Sequence, residues 1–81
     1  MHLFRIDALA DPQSLPRIAG FFAQRALIPS AMRMRMLRRH MRIELTVADI
    51  ADDRAAVIAA KLREIVAVLS VDLATERAAA A

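Results

Sequence analysis

The sequence contains no cysteine, no tryptophan and no tyrosine, and only one glycine and three phenylalanines. Without cysteine, neither a disulfide framework nor a thiolate metal site can form. Aromatic residues make up 4% of the chain, so there is little material for the base-stacking surface that RNA-binding sheets use. No apolar run approaches the ~20 residues of a membrane-spanning helix. The opening stretch MHLFRIDALADP carries Arg5, Asp7 and Asp11, which interrupts the apolar core of a secretory leader. The expectation is a cytoplasmic domain with no membrane attachment. Acid is conspicuously missing from one place. Residues 33–42 hold five arginines and no carboxylate, so the net charge of +3, less those 5, leaves −2 for the remainder. The basic character belongs to one segment.

What is present is apolar. Eighty-one residues make one domain, 58% hydrophobic and 26% charged. So high an apolar fraction on so small a body implies that another chain covers part of it.

The apolar residues fall in periodic runs. HLFRIDA (2–8) alternates, with Phe4, Ile6 and Ala8 on one side and Leu3, Arg5 and Asp7 on the other, which predicts a strand with one buried face. ADPQS (10–14) is a turn, and either Ser14 or Asp11 is placed to cap the helix that follows. Leu15, Ile18, Ala19, Phe22 and Ala26 recur at helical spacing and predict a helix over about 15–26. Gly20 within it costs roughly 1 kcal/mol relative to alanine, which suggests close packing there. Pro29 prevents the helix from continuing.

Two alternating runs come next. Placing Met36 opposite Met41 sets Met34 opposite Ile43 and Met32 opposite Leu45. That register gathers the apolar side chains on one buried face, and a one-residue slip would bury arginines instead. It also sets Arg33 opposite Glu44 and Arg35 opposite Arg42. LRRH (37–40) lacks the Asn-Gly or Asp-Gly of a two-residue hairpin, so a four-residue loop is expected. Asp52 or Asp53 caps a second helix over about 54–66, whose stripe is Ala55, Ile58, Ala59, Leu62, Ile65 and Val66. VLSVDL (68–73) alternates with Leu69, Val71 and Leu73 inward. Residues 74–81 have nothing to bury and are expected to form a disordered tail after a single domain spanning 1–73.

The predicted order is βαββαβ. Two helices on one face of a four-stranded antiparallel sheet bury all six stripes at once, giving an α+β, ferredoxin-like fold with strand order 4-1-3-2. The second strand is then an edge, open to a second copy. On the far face Arg33, Arg35 and Arg42 lie with Arg5, Asp7, Glu44 and Asp72. A solvated charged face is the simplest reading of the arginines, ahead of an acidic partner or anion. Nucleic acid ranks last, because Phe4 points inward and Phe21 and Phe22 sit on a helix.

Catalytic chemistry finds no footing. His2 and His40 read as terminal and surface histidines with no metal-ligand spacing. Ser14, Ser30 and Ser70 lack a base and an orienting partner. Methionines 32, 34, 36 and 41 alternate as core filler rather than as a soft-metal site. Asp49, Asp52 and Asp53 serve the helix start. No catalytic residue, metal or cofactor is expected. One feature suits a ligand: the turn ADPQSLPRI aims backbone N–H groups at whatever lies above the helix start, a place for a carboxylate. An ordinary capped turn explains it equally well.

Three stretches, SLPRIAGFFAQRALIPSAM (14–32), MRIELTVAD (41–49) and KLREIVAVLSVDL (61–73), resemble the ACT domain, most closely the small regulatory subunit of acetolactate synthase. The resemblance implies an ACT-like fold and a non-catalytic regulatory homodimer formed through the second strand. It also implies a branched-chain amino acid as ligand and the catalytic chain of that synthase as partner. Carried over by position, the ligand would meet Asp11, Pro12, Gln13, Ser14 and Leu15, with Ile28 and Pro29 of the neighbouring subunit. This chain departs from the family at that turn, with Ala10 and Gln13 where an asparagine and a glycine are usual. Ile28-Pro29 likewise replaces an asparagine–isoleucine pair. A free-standing sensor of another metabolite is the alternative role.

Overall fold

A computed structural model of the chain describes residues 1–75. Its elements follow the order β1 (His2–Leu9), α1 (Ser14–Gln24), β2 (Ala31–Met36), β3 (His40–Val47), α2 (Asp52–Leu62) and β4 (Val68–Thr75). The four strands form one antiparallel sheet in the order β2-β3-β1-β4, the expected topology read from its other edge. The core consists of the helical stripes packed on one face of the inner strands. Phe4, Ile6, Ala8, Ile18, Ile43, Leu45, Ala55 and Leu62 are wholly buried, each large side chain contributing about 1.5–3 kcal/mol. Phe4 meets Phe22 edge to face at 5.6 Å, which ties α1 to the central strand.

The hairpin register is the expected one: Met32 pairs with Leu45, Met34 with Ile43, Met36 with Met41, Arg33 with Glu44 and Arg35 with Arg42. His40 already belongs to β3, so the connection is residues 37–39, one shorter than the four-residue loop expected, and it is closed by Leu37 N–H donating to His40 O at 2.8 Å. Burial of the β2 methionines does not follow from that register. Met32, Met34 and Met36 remain 47, 44 and 61% exposed. They are on the helix side, but the core draws on β1, β3, both helices, Leu27 and Val71 and on no residue of β2.

Both helices stop earlier than their periodicity suggests. α1 ends because Ala26 adopts a left-handed φ of 56°. Leu27 N–H then reaches back to Phe22 O, and Ala26 N–H to Ala23 O, a Schellman closure with alanine in the glycine position. Leu27 is thereby folded into the core. α2 ends at Leu62, after which Ile65 is partly buried and Val66 is 85% exposed. Its start has no side-chain cap; Asp52 and Asp53 occupy the first turn, where they face the positive end of the helix dipole. Gly20 is not closely packed, since a Cβ built there would meet nothing within 4 Å.

β4 also departs from simple alternation. Ile6 pairs with Val71 and Asp7 with Ser70, but Ala8 pairs with Val68. The extra residue, Leu69, is bulged out and 55% exposed, so Val68 takes the inward place. The strand continues through Ala74 and Thr75, paired with Leu3 and His2. Of the stretch expected to be a tail, residues 76–81 lie outside the described residues.

Candidate functional site

The β1–α1 turn is held by its own residues. Asp11 Oδ1 accepts the Gln13 N–H at 2.7 Å, and Asp11 O accepts the Ser14 N–H at 3.0 Å. Pro16 has no N–H to offer. Of the four donors that a helix start normally leaves unpaired, this accounts for all but that of Leu15. A carboxylate seated there would find one backbone donor and a neighbouring negative charge at Asp11. Ser14 is not a side-chain cap: it is fully buried, and its Oγ donates to Leu9 O at 2.8 Å. It fastens the helix start to the end of β1.

A cleft of about 160 Å³ opens beside this turn, lined by Leu9, Asp11, Gln13, Ser14, Arg17, Val66 and Ala67. Its far wall is the loop before β4, tied to the near wall by Leu9 N–H donating to Ala67 O at 2.8 Å. Of the residues carried over by position, Asp11, Gln13 and Ser14 line the cleft. Pro12 and Leu15 flank them in sequence, with Leu15 packed on the core. Ile28 and Pro29 are not part of the cleft within one chain, and Ile28 is 87% exposed. Sequence reasoning missed Arg17, Val66 and Ala67. Arg17 lies on the polar side of its helix, Val66 closes the helix expected over 54–66, and Ala67 falls between that helix and the strand expected from Val68. The result is a small hollow with a carboxylate and a guanidinium on its wall and an apolar lip.

The open face of the sheet is charged in two rows. In one, Arg5 Nε donates to Glu44 Oε2 at 3.2 Å, with Asp72 on the far side of Arg5 and Arg33 on the far side of Glu44. In the other, Arg42 grips Asp7 through Nε at 2.9 Å and a second N–H at 3.4 Å. Ser70 Oγ donates to the same carboxylate at 3.2 Å, and His40 Nε2 lies 3.5 Å from it. The Arg42 hydrogen bond holds the Asp7 carboxyl below its usual range, outweighing partial desolvation, with Ser70 and His40 adding to the effect. Asp7 in turn raises Arg42. Arg33, Arg35, Arg38 and Arg39 are exposed, and none forms an ion pair among the described residues.

His2 is buried rather than a loose terminal group. Its Nε2 donates to Ile50 O at 3.0 Å, and since a carbonyl can only accept, the ring proton sits on that nitrogen. Nδ1 then accepts from Thr75 Oγ1 at 3.1 Å. Asp52 Oδ1 lies 3.5 Å from Nε2. The ring joins β1, β4 and the segment leading into α2. Among the described residues, no group of three or more His, Cys, Asp or Glu could hold a metal ion. Among the same residues, no helix is long and apolar enough to cross a membrane.

Comparison with known proteins gives one family and one fold. The model of the ACT-like domain family matches residues 1–80. Among solved structures, the solution structure of the ACT domain from GTP pyrophosphokinase of Chlorobium tepidum superposes with a TM-score of 0.80. The two sequences are 14% identical, and the match covers 94% of this chain and 86% of that one. At that identity the likeness concerns the fold. No curated protein sequence matches the chain.

Proposed function

Because this chain belongs to the ACT-like domain family, we propose that it is a non-catalytic regulatory module, a homodimer that binds a small amino acid and a larger enzyme subunit. The observation that carries this reading is the cleft beside α1. Its Asp11 and Arg17 present opposite charges to a space of about 160 Å³, below the ~300–1,000 Å³ of drug-sized sites. An amino acid is a zwitterion of that scale. Its carboxylate suits Arg17, its ammonium suits Asp11, and an aliphatic side chain suits Leu9, Val66 and Ala67. Ile28, exposed, and Pro29, half-buried, at the approach to β2 would close the cleft from the neighbouring subunit.

The dimer reading is supported by β2, a sheet edge with three exposed methionines on one side. The enzyme subunit, on the resemblance of residues 14–32, 41–49 and 61–73, is the catalytic chain of acetolactate synthase, and the module is then cytoplasmic. Thermal unfolding of the full chain with millimolar leucine, isoleucine or valine tests the ligand. A ligand at 100 times its Kd stabilises by about 2.7 kcal/mol, and a flat response to all three removes amino-acid binding. Mixing with the catalytic chain tests the partner. Co-purification and a rise in synthase activity are expected, and the absence of both at micromolar concentration overturns that pairing.

A further inference from the structure

The arginines of β2 restrict how the proposed homodimer can assemble. In an antiparallel pair, directly opposite residues point to the same side of the sheet. The helix-side residues of β2 are Met32, Met34 and Met36, and the open-face residues are Ala31, Arg33 and Arg35. If two copies join β2 to β2 about a two-fold axis with their helices on the same side, methionines must face methionines. Arginines must then share the other side. Centring the axis on Met34 sets Met32 against the partner's Met36 and covers all three exposed methionines of each copy. It also sets Arg33 against the partner's Arg35, twice. Centring on Arg33 or Arg35 places that arginine against itself and leaves a methionine unmatched.

Like charges directly opposite one another destabilise a strand pair. In the single chain the nearest carboxylates are engaged by other arginines, Glu44 by Arg5 and Asp7 by Arg42, and neither forms an ion pair with Arg33 or Arg35 among the described residues. The Met34-centred junction therefore gathers four guanidinium groups, Arg33 and Arg35 of both copies, on an exposed face. Each guanidinium is a planar fork matched to phosphate oxygens.

Building on the homodimer reading, we propose that two copies pair through β2 about Met34, and that the open face of this junction binds a multiply charged phosphate-type anion in a site that exists only when both copies contribute. The anion and the dimer are then linked. Because a single chain holds half of the site, the anion tightens self-association, and self-association raises affinity for the anion.

Sedimentation of the full chain tests this with inorganic tripolyphosphate against sodium chloride at matched ionic strength. Tripolyphosphate is expected to lower the dimer dissociation constant about tenfold or more. The double variant Arg33→Gln/Arg35→Gln, altered only at exposed edge positions, is expected to dimerise without the anion and to ignore it. Met34→Glu is expected to abolish the dimer and the anion response together. A dimer of unchanged affinity with tripolyphosphate overturns the site while leaving the dimer reading intact, and no dimer under any condition overturns both. A response preserved in the double variant overturns it. So does a response to single-stranded DNA with none to tripolyphosphate, which points to nucleic acid instead.

Discussion

Met34 and Ile43 lie directly opposite one another across the β2–β3 pair and point to the same side of the sheet, yet Ile43 is fully buried and Met34 is 44% exposed. One strand's width separates the core from its uncovered margin. Ile43→Ala should cost about 2–5 kcal/mol in urea unfolding, as buried aliphatic truncations do. Met34→Glu should change the stability of the monomer by no more than about 0.5 kcal/mol while eliminating self-association in sedimentation. A Met34→Glu protein that unfolds early as a monomer would show that the methionine stripe belongs to the core of the single chain.

Gly20 and Ala26 occupy each other's natural places. Gly20 lies within α1 with open space where a Cβ would stand, and Ala26 holds the left-handed position that closes the helix. Gly20→Ala should stabilise by about 0.5–1 kcal/mol through helix propensity and a less flexible unfolded chain. Ala26→Gly should stabilise by roughly 1 kcal/mol by removing the Cβ clash of a left-handed residue. The sites are six residues apart and share no hydrogen bond, so the double variant should show the sum in thermal or urea unfolding.

Alternation carries information about which side of a sheet a residue faces but not about how far the opposing layer reaches. That is why the hairpin register, the strand order and the buried faces of β1 and β3 were legible, while the exposure of Met32, Met34 and Met36 was not. Helical periodicity likewise runs past the true ends of α1 and α2, and at α1 the stop is a left-handed alanine, Ala26, which has no sequence signature comparable to glycine. The β4 bulge turns Leu69 outward without altering composition. At the cleft, the turn residues Asp11 to Leu15 were visible as a helix start. The far wall was not, because Val66 and Ala67 reach it only once α2 stops early.

Asp7 should make stability depend on pH. Its folded-state pKa is lowered by Arg42 with help from Ser70 and His40, so the folded protein binds a proton at this site less readily than the unfolded chain. The contribution is fully present above the unfolded value, about 3.9, and is lost as pH falls through the lower folded value. Urea midpoints measured from pH 6 downward should therefore decline below about pH 4, and Asp7→Asn should flatten part of that decline. An identical acid limb in Asp7→Asn would mean that the Arg42 contact contributes nothing net.

His2 should behave as a structural residue. Replacing it with leucine keeps apolar bulk but strips partners from the Ile50 carbonyl and the Thr75 hydroxyl. A loss of about 1–3 kcal/mol is expected for groups left unpaired at a buried site. Faster amide exchange should follow in β4 and in the segment leading into α2, the two places the ring joins to β1. A variant with unchanged stability and exchange would return His2 to the status of a terminal residue without a structural role.

Ser14 and Arg17 separate the construction of the cleft from its use. Ser14 is buried and donates to the Leu9 carbonyl, which also accepts from Asp11 N–H, so Ser14→Ala removes one of two bonds and should cost about 1 kcal/mol of stability. Arg17 is exposed and lines the cleft, so Arg17→Ala should leave stability within about 0.5 kcal/mol. If the cleft binds an amino-acid carboxylate through that guanidinium, Arg17→Ala should weaken leucine by about tenfold or more, the worth of a hydrogen bond to a charged group. Ser14→Ala should weaken leucine less, because it loosens the turn without removing a ligand contact. Calorimetric titration of both variants distinguishes the two roles, and equal leucine affinity in wild type and Arg17→Ala would remove the guanidinium from the proposed site.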